Sequence, residues 1–173
     1  MLSTVNARLT GQAAEGKEAP EQDQLEAGPL DEASGTVPQP VRAPLTEKEL
    51  YNQAYNLYVS GDYEKARKQF QEFLKLHPGS GLIDNALYWI ASCYYKEKKY
   101  EEAISACDDT IKKFPKGKKT ADAYYLQALS FCEIKDPLTA QILLETLIQN
   151  FPDTEAAKLG KKKYDELKAG SAE

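Results

Sequence analysis

Apolar residues recur along the middle of the chain with the three- and four-residue spacing of a helix face. This spacing predicts one helix from about Thr46 to Ser60 and a second from about Tyr63 to Leu76. Gly61 and Asp62 separate the two, because glycine can adopt the positive φ that ends a helix. The second helix ends before Pro78, since proline lacks an amide hydrogen and restricts the residue before it. The pattern therefore predicts a pair of helices joined by a tight turn.

The same pattern returns every 37 residues. Pro78, Pro115 and Pro152 are spaced by that interval, and each follows an aromatic ring. Other columns keep the interval: Tyr51, Tyr88 and Tyr125; Ala54, Ala91 and Ala128; Tyr58 and Tyr95; Tyr63 and Tyr100; Ala66, Ala103 and Ala140. A fixed interval of this length is the signature of stacked supersecondary units. The small alanines suit the contact between paired helices, whose axes approach to about 8–10 Å.

Three successive helix pairs account for most of the folding part of the chain. We place the units at about 47–83, 84–120 and 121–157, and Pro137 opens the last paired helix at a position where proline is tolerated. A further helix at about 154–168 turns Ala157, Tyr164 and Leu167 toward the third unit and its lysines toward water. An open array needs such a cap over its last apolar face. The prediction is an all-α superhelix occupying residues 46–168.

This pattern resembles the tetratricopeptide repeat over residues 47–152. The residues that carry the resemblance are Ala54, Gly61, Tyr63, Ala66, Phe70, Pro78 and their counterparts. The interval is longer than the usual repeat of about 34 residues, and Lys98 and Lys135 replace the turn glycine. The resemblance implies a right-handed superhelix whose first helices line a concave groove.

Aromatic residues fall on the side that this resemblance assigns to the groove. The candidate binding residues are Tyr51, Tyr55, Tyr58, Tyr88, Trp89, Tyr95 and Tyr125. Tyrosine combines an apolar body with a hydroxyl group and is enriched at protein interfaces. The groove is expected to hold a helix or an extended segment of a protein partner. The alternative is that these rings only pack between neighbouring units.

The first 45 residues have a different composition. They hold no aromatic residue but five of the nine prolines, and residues 1–46 carry three basic and seven acidic side chains. A segment that cannot bury apolar area cannot offset the entropy of ordering itself. We expect residues 1–45 to be a disordered, acidic, Pro-rich linker.

No other residues point to chemistry. Cys93, Cys107 and Cys132 form no CxxC pair and accompany no histidine cluster, so no metal site, cofactor site or disulfide framework is indicated. The single histidine, His77, ends a helix, and the lysines at 112–119 suit a solvated helix end. No catalytic residue is expected. The near-neutral repeats and the lack of a long apolar run argue against nucleic-acid binding and direct membrane insertion.

One family resembles the chain in more detail. The segments Ala86-Leu87-Tyr88-Trp89 and 151–157, with the 37-residue interval, are similar to the C-terminal domain of the Tol–Pal system coordinator family, YbgF or CpoB. That resemblance implies a periplasmic scaffold in cell division, with a Tol-type envelope protein as partner. It also implies trimerisation through a coiled coil upstream of the repeats, of which Met1–Leu9 would be the tail.

Two alternatives remain. The first is an outer-membrane assembly lipoprotein of the BamD type, which also carries Tyr-rich repeats but normally has five of them and a lipidated cysteine near its start. The second is a cytosolic adaptor, which the free thiols and the lack of a visible export signal would suit.

Overall fold

The computed structural model describes residues 45–170, and within that range the chain forms seven α-helices and no strand. The helices are α1 (Glu47–Val59), α2 (Tyr63–Leu76), α3 (Ile83–Lys96), α4 (Tyr100–Lys113), α5 (Thr120–Glu133), α6 (Pro137–Asn150) and α7 (Glu155–Gly170). The predicted all-α class is confirmed. The second helices of the three pairs begin 37 residues apart, at Tyr63, Tyr100 and Pro137. The predicted linker at 1–45 lies outside the described residues except for Leu45.

The helices stack in two layers. Each helix packs on its neighbours in the chain, and α1, α3, α5 and α7 also contact one another in succession. Within the described residues, the Cα atoms of α2 and α4 stay more than 8 Å apart, and so do those of α4 and α6. A stack that is tighter in one layer than in the other curves toward the tighter layer. The first helices of the pairs and α7 therefore form the concave side, as the tetratricopeptide resemblance implies.

The two alanine columns lie at the contact between paired helices. Ala54, Ala91 and Ala128 on the first helices are fully buried, and so are their partners on the second helices, Ala66, Ala103 and Ala140. Larger side chains fill the remaining space, chiefly Phe70 and Phe73 in the first pair and Leu144 and Leu147 in the third. The helix axes can approach closely because no bulky group stands between them.

The turns inside the pairs share one backbone geometry. Gly61 has φ of 87°, and the lysines at the same place, Lys98 and Lys135, have φ of 60° and 65°. In the first turn the Asp62 N–H donates to the Leu57 carbonyl at 2.9 Å, and the Gly61 N–H donates to the Tyr58 carbonyl at 3.1 Å. Both bonds recur in the other two turns. This is the Schellman arrangement, which satisfies helix carbonyls that otherwise lack a partner.

The ends of the array are closed by local contacts. Thr46 and Glu49 form a capping box at the start of α1. At the other end Ala157 of α7 is buried, and Tyr164 and Leu167 pack against the core of the third pair. The prediction of a capping helix is confirmed, while the unit boundaries drawn through the loops stay a prediction. None of the helices in residues 45–170 is long and apolar enough to cross a membrane.

Candidate functional site

Five of the seven candidate aromatic residues form one group, which we call the aromatic cluster. It consists of Tyr51, Tyr55 and Tyr58 on α1 with Tyr88 and Trp89 on α3. Trp89 lies at its centre, with ring centroids 5.0 Å from Tyr55, 4.7 Å from Tyr58 and 5.1 Å from Tyr88. The Trp89 indole N–H donates to the Tyr51 hydroxyl at 2.8 Å. The cluster bridges the first two helix pairs on the concave side.

The inner members of the aromatic cluster are packing residues. The Tyr51 ring lies edge-on to Phe70 and Phe73, at centroid distances of 5.5 and 5.6 Å. The Tyr58 hydroxyl is hydrogen-bonded to the Ser92 hydroxyl on α3 at 2.7 Å. Tyr51 and Tyr58 therefore join the helix pairs through both their rings and their hydroxyl groups.

Tyr55 is the accessible member. It is 38% exposed, whereas the other four rings are half-buried. Val59 follows one helical turn later and is 67% exposed, so an apolar strip runs along the open side of α1. Tyr55 is held between Trp89 and Tyr58. Its ring stacks on that of Tyr58, with 6.4 Å between the two centroids. A ring fixed in this way can contact a partner with little further loss of rotational freedom.

A lysine that the sequence analysis assigned to a solvated helix end belongs to the aromatic cluster. The Lys119 ammonium lies 5.0 Å from the centroid of Tyr88 and 5.8 Å from that of Trp89. It also forms an ion pair with Asp122 at 2.7 Å. Lys119 immediately precedes α5, which packs beside α3 and so brings the lysine to the aromatic cluster. The cation lies near the π-faces of two rings, an attractive arrangement.

The other two candidates lie apart from the aromatic cluster. Tyr95 meets Tyr100 of α4 edge-on at 5.5 Å, so this ring contact lies within the second pair. Tyr125 packs against the core around Leu144, near the α7 side chain of Lys163. These two rings and Cys132 are close enough to influence one another electrostatically. The structure thus divides the seven candidate aromatic residues into two groups along the concave side.

The buried tyrosine hydroxyls are neutral at physiological pH. Burial raises the pKa of Tyr51 and Tyr58, and their hydrogen bonds with Trp89 and Ser92, respectively, only partly oppose this effect. Burial raises the pKa of Tyr88 well above its usual value, and the nearby Asp122 carboxylate adds to the effect. The surface therefore offers neutral rings and hydroxyl groups.

Candidate chemistry outside the aromatic cluster is structural. Burial raises the pKa of the Cys93 thiol to about 12 and that of the fully buried Cys107 further still. Both thiols therefore stay protonated. The centroid of the His77 ring lies 5.4 Å from that of Phe73. The backbone N–H of His77 donates to the Phe73 carbonyl. In residues 45–170 no group of three or more His, Cys, Asp or Glu side chains could hold a metal ion.

Comparisons with known proteins identify relatives of the repeats. The YfiO family model, described as an outer membrane lipoprotein, matches residues 44–173. The outer membrane protein assembly factor BamD of Rickettsia prowazekii is 29% identical over 116 residues, which cover 62% of this chain and 46% of that protein. The chain spans about half the length of the curated relatives it matches.

Solved structures share the fold. The type III secretion translocator chaperone SycD of Yersinia enterocolitica superimposes with a TM-score of 0.62 at 22% identity, over 73% of this chain and 94% of SycD. SycD in complex with a peptide of the translocator YopD gives a TM-score of 0.60 at 22% identity, over 72% and 93% of the two chains. The tetratricopeptide-like fold is thereby confirmed, while the relatives favour the BamD-type alternative over the Tol–Pal coordinator.

Proposed function

The chain belongs to the YfiO family of outer membrane lipoproteins, and on that premise we propose that it is a non-enzymatic scaffold in outer-membrane protein assembly. The aromatic cluster would bind a helix or extended segment of a protein partner. The observation that carries this proposal is the exposure of Tyr55 and Val59 beside a fixed Trp89, on the concave side of a helical array. The proposed place of action is the periplasmic side of the outer membrane.

The chemistry of the aromatic cluster suits a protein ligand. Hot spots of protein interfaces are enriched in Tyr and Trp, and a few such residues supply most of the binding energy. The Lys119 side chain at the edge of the cluster is 28% exposed, and Asp122 offsets its charge at 2.7 Å. The preferred ligand is therefore a segment that presents apolar side chains to Tyr55 and Val59.

Two comparisons support this kind of partner. SycD, which has the same fold, is known in complex with a peptide of YopD. The curated relatives are named as outer membrane protein assembly factors. The proposed partner is therefore a protein of the outer-membrane assembly machinery.

Site-specific photo-crosslinking tests the proposal. A benzoylphenylalanine in place of Tyr55, in the full chain expressed in its native cell, should crosslink to an envelope protein involved in outer-membrane assembly. A second photoreactive variant at Lys75, which is exposed on α2, serves as the control and should give no such product. Crosslinks to Tol-type division proteins would support the coordinator instead, and crosslinks to cytosolic proteins would support the adaptor. Either result would overturn the assembly proposal.

A substitution separates binding from packing. Tyr55→Ala should reduce capture of that partner at least tenfold and leave the unfolding midpoint nearly unchanged, because the ring is the most exposed of the aromatic cluster. Tyr88→Ala is a poorer test, since it also removes a half-buried ring that packs against the buried residues Cys107 and Leu126. Unaltered capture by Tyr55→Ala would show that the aromatic cluster only packs.

A further inference from the structure

Among the described residues, the first helix pair has an uncovered face on its N-terminal side, away from the second pair. We call it the N-terminal face and define it by the residues that line a groove of about 450 Å³ between α1 and α2: Gln53, Asn56, Leu57, Ser60 and Gln69. Leu57 is half-buried, while Gln53, Asn56 and Ser60 are exposed. Amide and hydroxyl groups thus surround an apolar centre.

The repeat shows what covers the equivalent faces. The counterparts of Gln53, at 37 and 74 residues further on, are Ile90 and Gln127, and they are only 6% and 7% exposed. α2 packs on the face that holds Ile90, and α4 packs on the face that holds Gln127. The same burial holds for the counterparts of Asn56, which are Cys93 and Ser130. In both later pairs the occupant of this face is an α-helix.

Gln127 shows how a side-chain amide holds such a helix. Its Nε2 donates to the carbonyl oxygen of Ile104 in α4 at 3.2 Å. A helix carbonyl has a second lone pair for this bond, provided that small neighbours leave it accessible. The neighbours of Ile104 are Ala103, Ser105 and Ala106. Gln53 offers the same amide at the same register of the N-terminal face.

The side-chain amide oxygen of Gln69, also on the N-terminal face, lacks a hydrogen-bond donor among the described residues. This Oε1 atom is buried. Buried acceptors are nearly always paired in native proteins, so this atom points to a donor supplied from outside the pair. Its counterparts, Ala106 and Leu143, carry no side-chain acceptor. The unpaired acceptor is thus particular to the face that lies open.

We propose that the N-terminal face binds an amphipathic α-helix of a protein partner. That helix carries a stripe of Ala, Ser or Gly, which leaves a backbone carbonyl open to Gln53, and a side-chain donor that reaches Gln69. The inference goes beyond the scaffold function proposed for the aromatic cluster, because the two surfaces use different residues and different chemistry. The chain then engages two partner segments, one along its concave side and one at its end.

A peptide with the sequence of α4 is a suitable probe, because α4 covers the equivalent face of the third pair. Residues 98–115 are synthesised with a fluorescein label, capped ends and a hydrocarbon staple on the solvent side, which keeps the peptide helical. Fluorescence anisotropy with the full chain should show saturable binding, and a stapled peptide of scrambled sequence should not bind. Asn56→Arg should weaken binding at least tenfold, and Gln53→Leu should weaken it several-fold.

Asn150→Arg is the matched control, since the same change falls on an exposed residue of α6 in the third pair. It should leave peptide affinity unchanged, and urea unfolding should show that all three variants fold. The proposal is overturned by equal binding of the scrambled peptide, by no binding up to millimolar concentrations, or by unchanged affinity in Asn56→Arg. Self-association of the full chain that Asn56→Arg abolishes would also overturn it, because the occupant would then be a second copy.

Discussion

Trp89 and Tyr51 join the first two helix pairs through a hydrogen bond of 2.8 Å between the indole N–H and the phenol oxygen. The residue 37 positions after Trp89 is Leu126, and the one 37 positions after Ser92 is Leu129. The junction between the second and third pairs therefore lacks counterparts of both the Trp89–Tyr51 and the Tyr58–Ser92 hydrogen bonds. One repeat pattern thus builds two chemically different junctions, of which only the first carries the aromatic cluster.

Tyr51→Phe should lower the free energy of unfolding by about 1 kcal/mol or more. The change removes the acceptor and leaves the Trp89 N–H unpaired in a half-buried site, which costs about 1–3 kcal/mol when the group is fully buried. Urea denaturation followed by circular dichroism measures the effect. Tyr55→Phe is the matched control, because among the described residues no hydrogen bond to its hydroxyl is seen, and it should be neutral. Equal stability of both variants would show that the Trp89 bond contributes nothing.

Lys98→Gly should stabilise the protein by about 0.5–1 kcal/mol. Lys98 adopts φ of 60°, and a non-glycine residue in the left-handed region costs about 1–2 kcal/mol, partly offset by the greater flexibility of glycine in the unfolded chain. Lys135→Gly, at φ of 65°, should behave alike. Lys75→Gly places the same residue in the last turn of α2 and should destabilise the protein by up to about 1 kcal/mol. Thermal unfolding of the three variants would show the difference in sign, and a destabilised Lys98→Gly would contradict this account.

Much of the fold could be predicted from the sequence because a few residue types carry strict requirements. Pro78 and the turn at Gly61 and Asp62 limit α2 on its two sides, so this helix begins and ends where the pattern predicted it. The alanine columns mark close helix contacts because only a small side chain lets two helix axes approach closely. The start of α3 had no comparable signal, since Leu82 provides no side-chain cap. The residues that carry the tetratricopeptide resemblance, such as Ala54 and Pro78, are needed for packing and turns in any such array and do not separate its families.

The candidate site could be predicted only in part. A column of tyrosines indicates a shared face, but the exposure of each ring depends on which neighbour fills the gap between helices. Trp89 fills that gap beside Tyr51 and leaves Tyr55 accessible. The role of Lys119 depends on how the loop before α5 approaches α3, a tertiary relationship that no spacing along the chain reports.

The stability of the protein should fall as the pH rises above about 10. Burial raises the pKa of Tyr51, Tyr58 and Tyr88 in the folded state, whereas tyrosines of the unfolded chain ionise near pH 10. Above that pH the unfolded state binds fewer protons than the folded one, so the free energy of unfolding decreases with pH. The contribution of these groups is fully present below pH 10 and is lost as the pH rises toward the folded-state pKa values.

Urea unfolding between pH 8 and 11 measures this dependence. Lysines also titrate in this range, so the informative comparison is with Tyr88→Phe, which keeps the ring and removes the titrating hydroxyl. The variant should lose stability less steeply than the wild-type chain above pH 10. Identical slopes for the two proteins would show that Tyr88 does not contribute to the alkaline loss.

Gly160→Leu should destabilise the array by about 1–3 kcal/mol, the usual cost of overpacking a core. Gly160 is buried where α7 crosses α6, and a Cβ atom there would lie 3.0 Å from Leu147 Cδ2 and 3.4 Å from Leu144 Cδ2. Both leucines are fully buried and have little room to move, so α7 must shift and expose the third pair. Lys162→Leu adds the same side chain on the exposed side of α7 and should change stability by less than about 0.5 kcal/mol. Limited proteolysis should release the end of α7 from Gly160→Leu first, and equal resistance of the two variants would show that this close contact does not hold the cap.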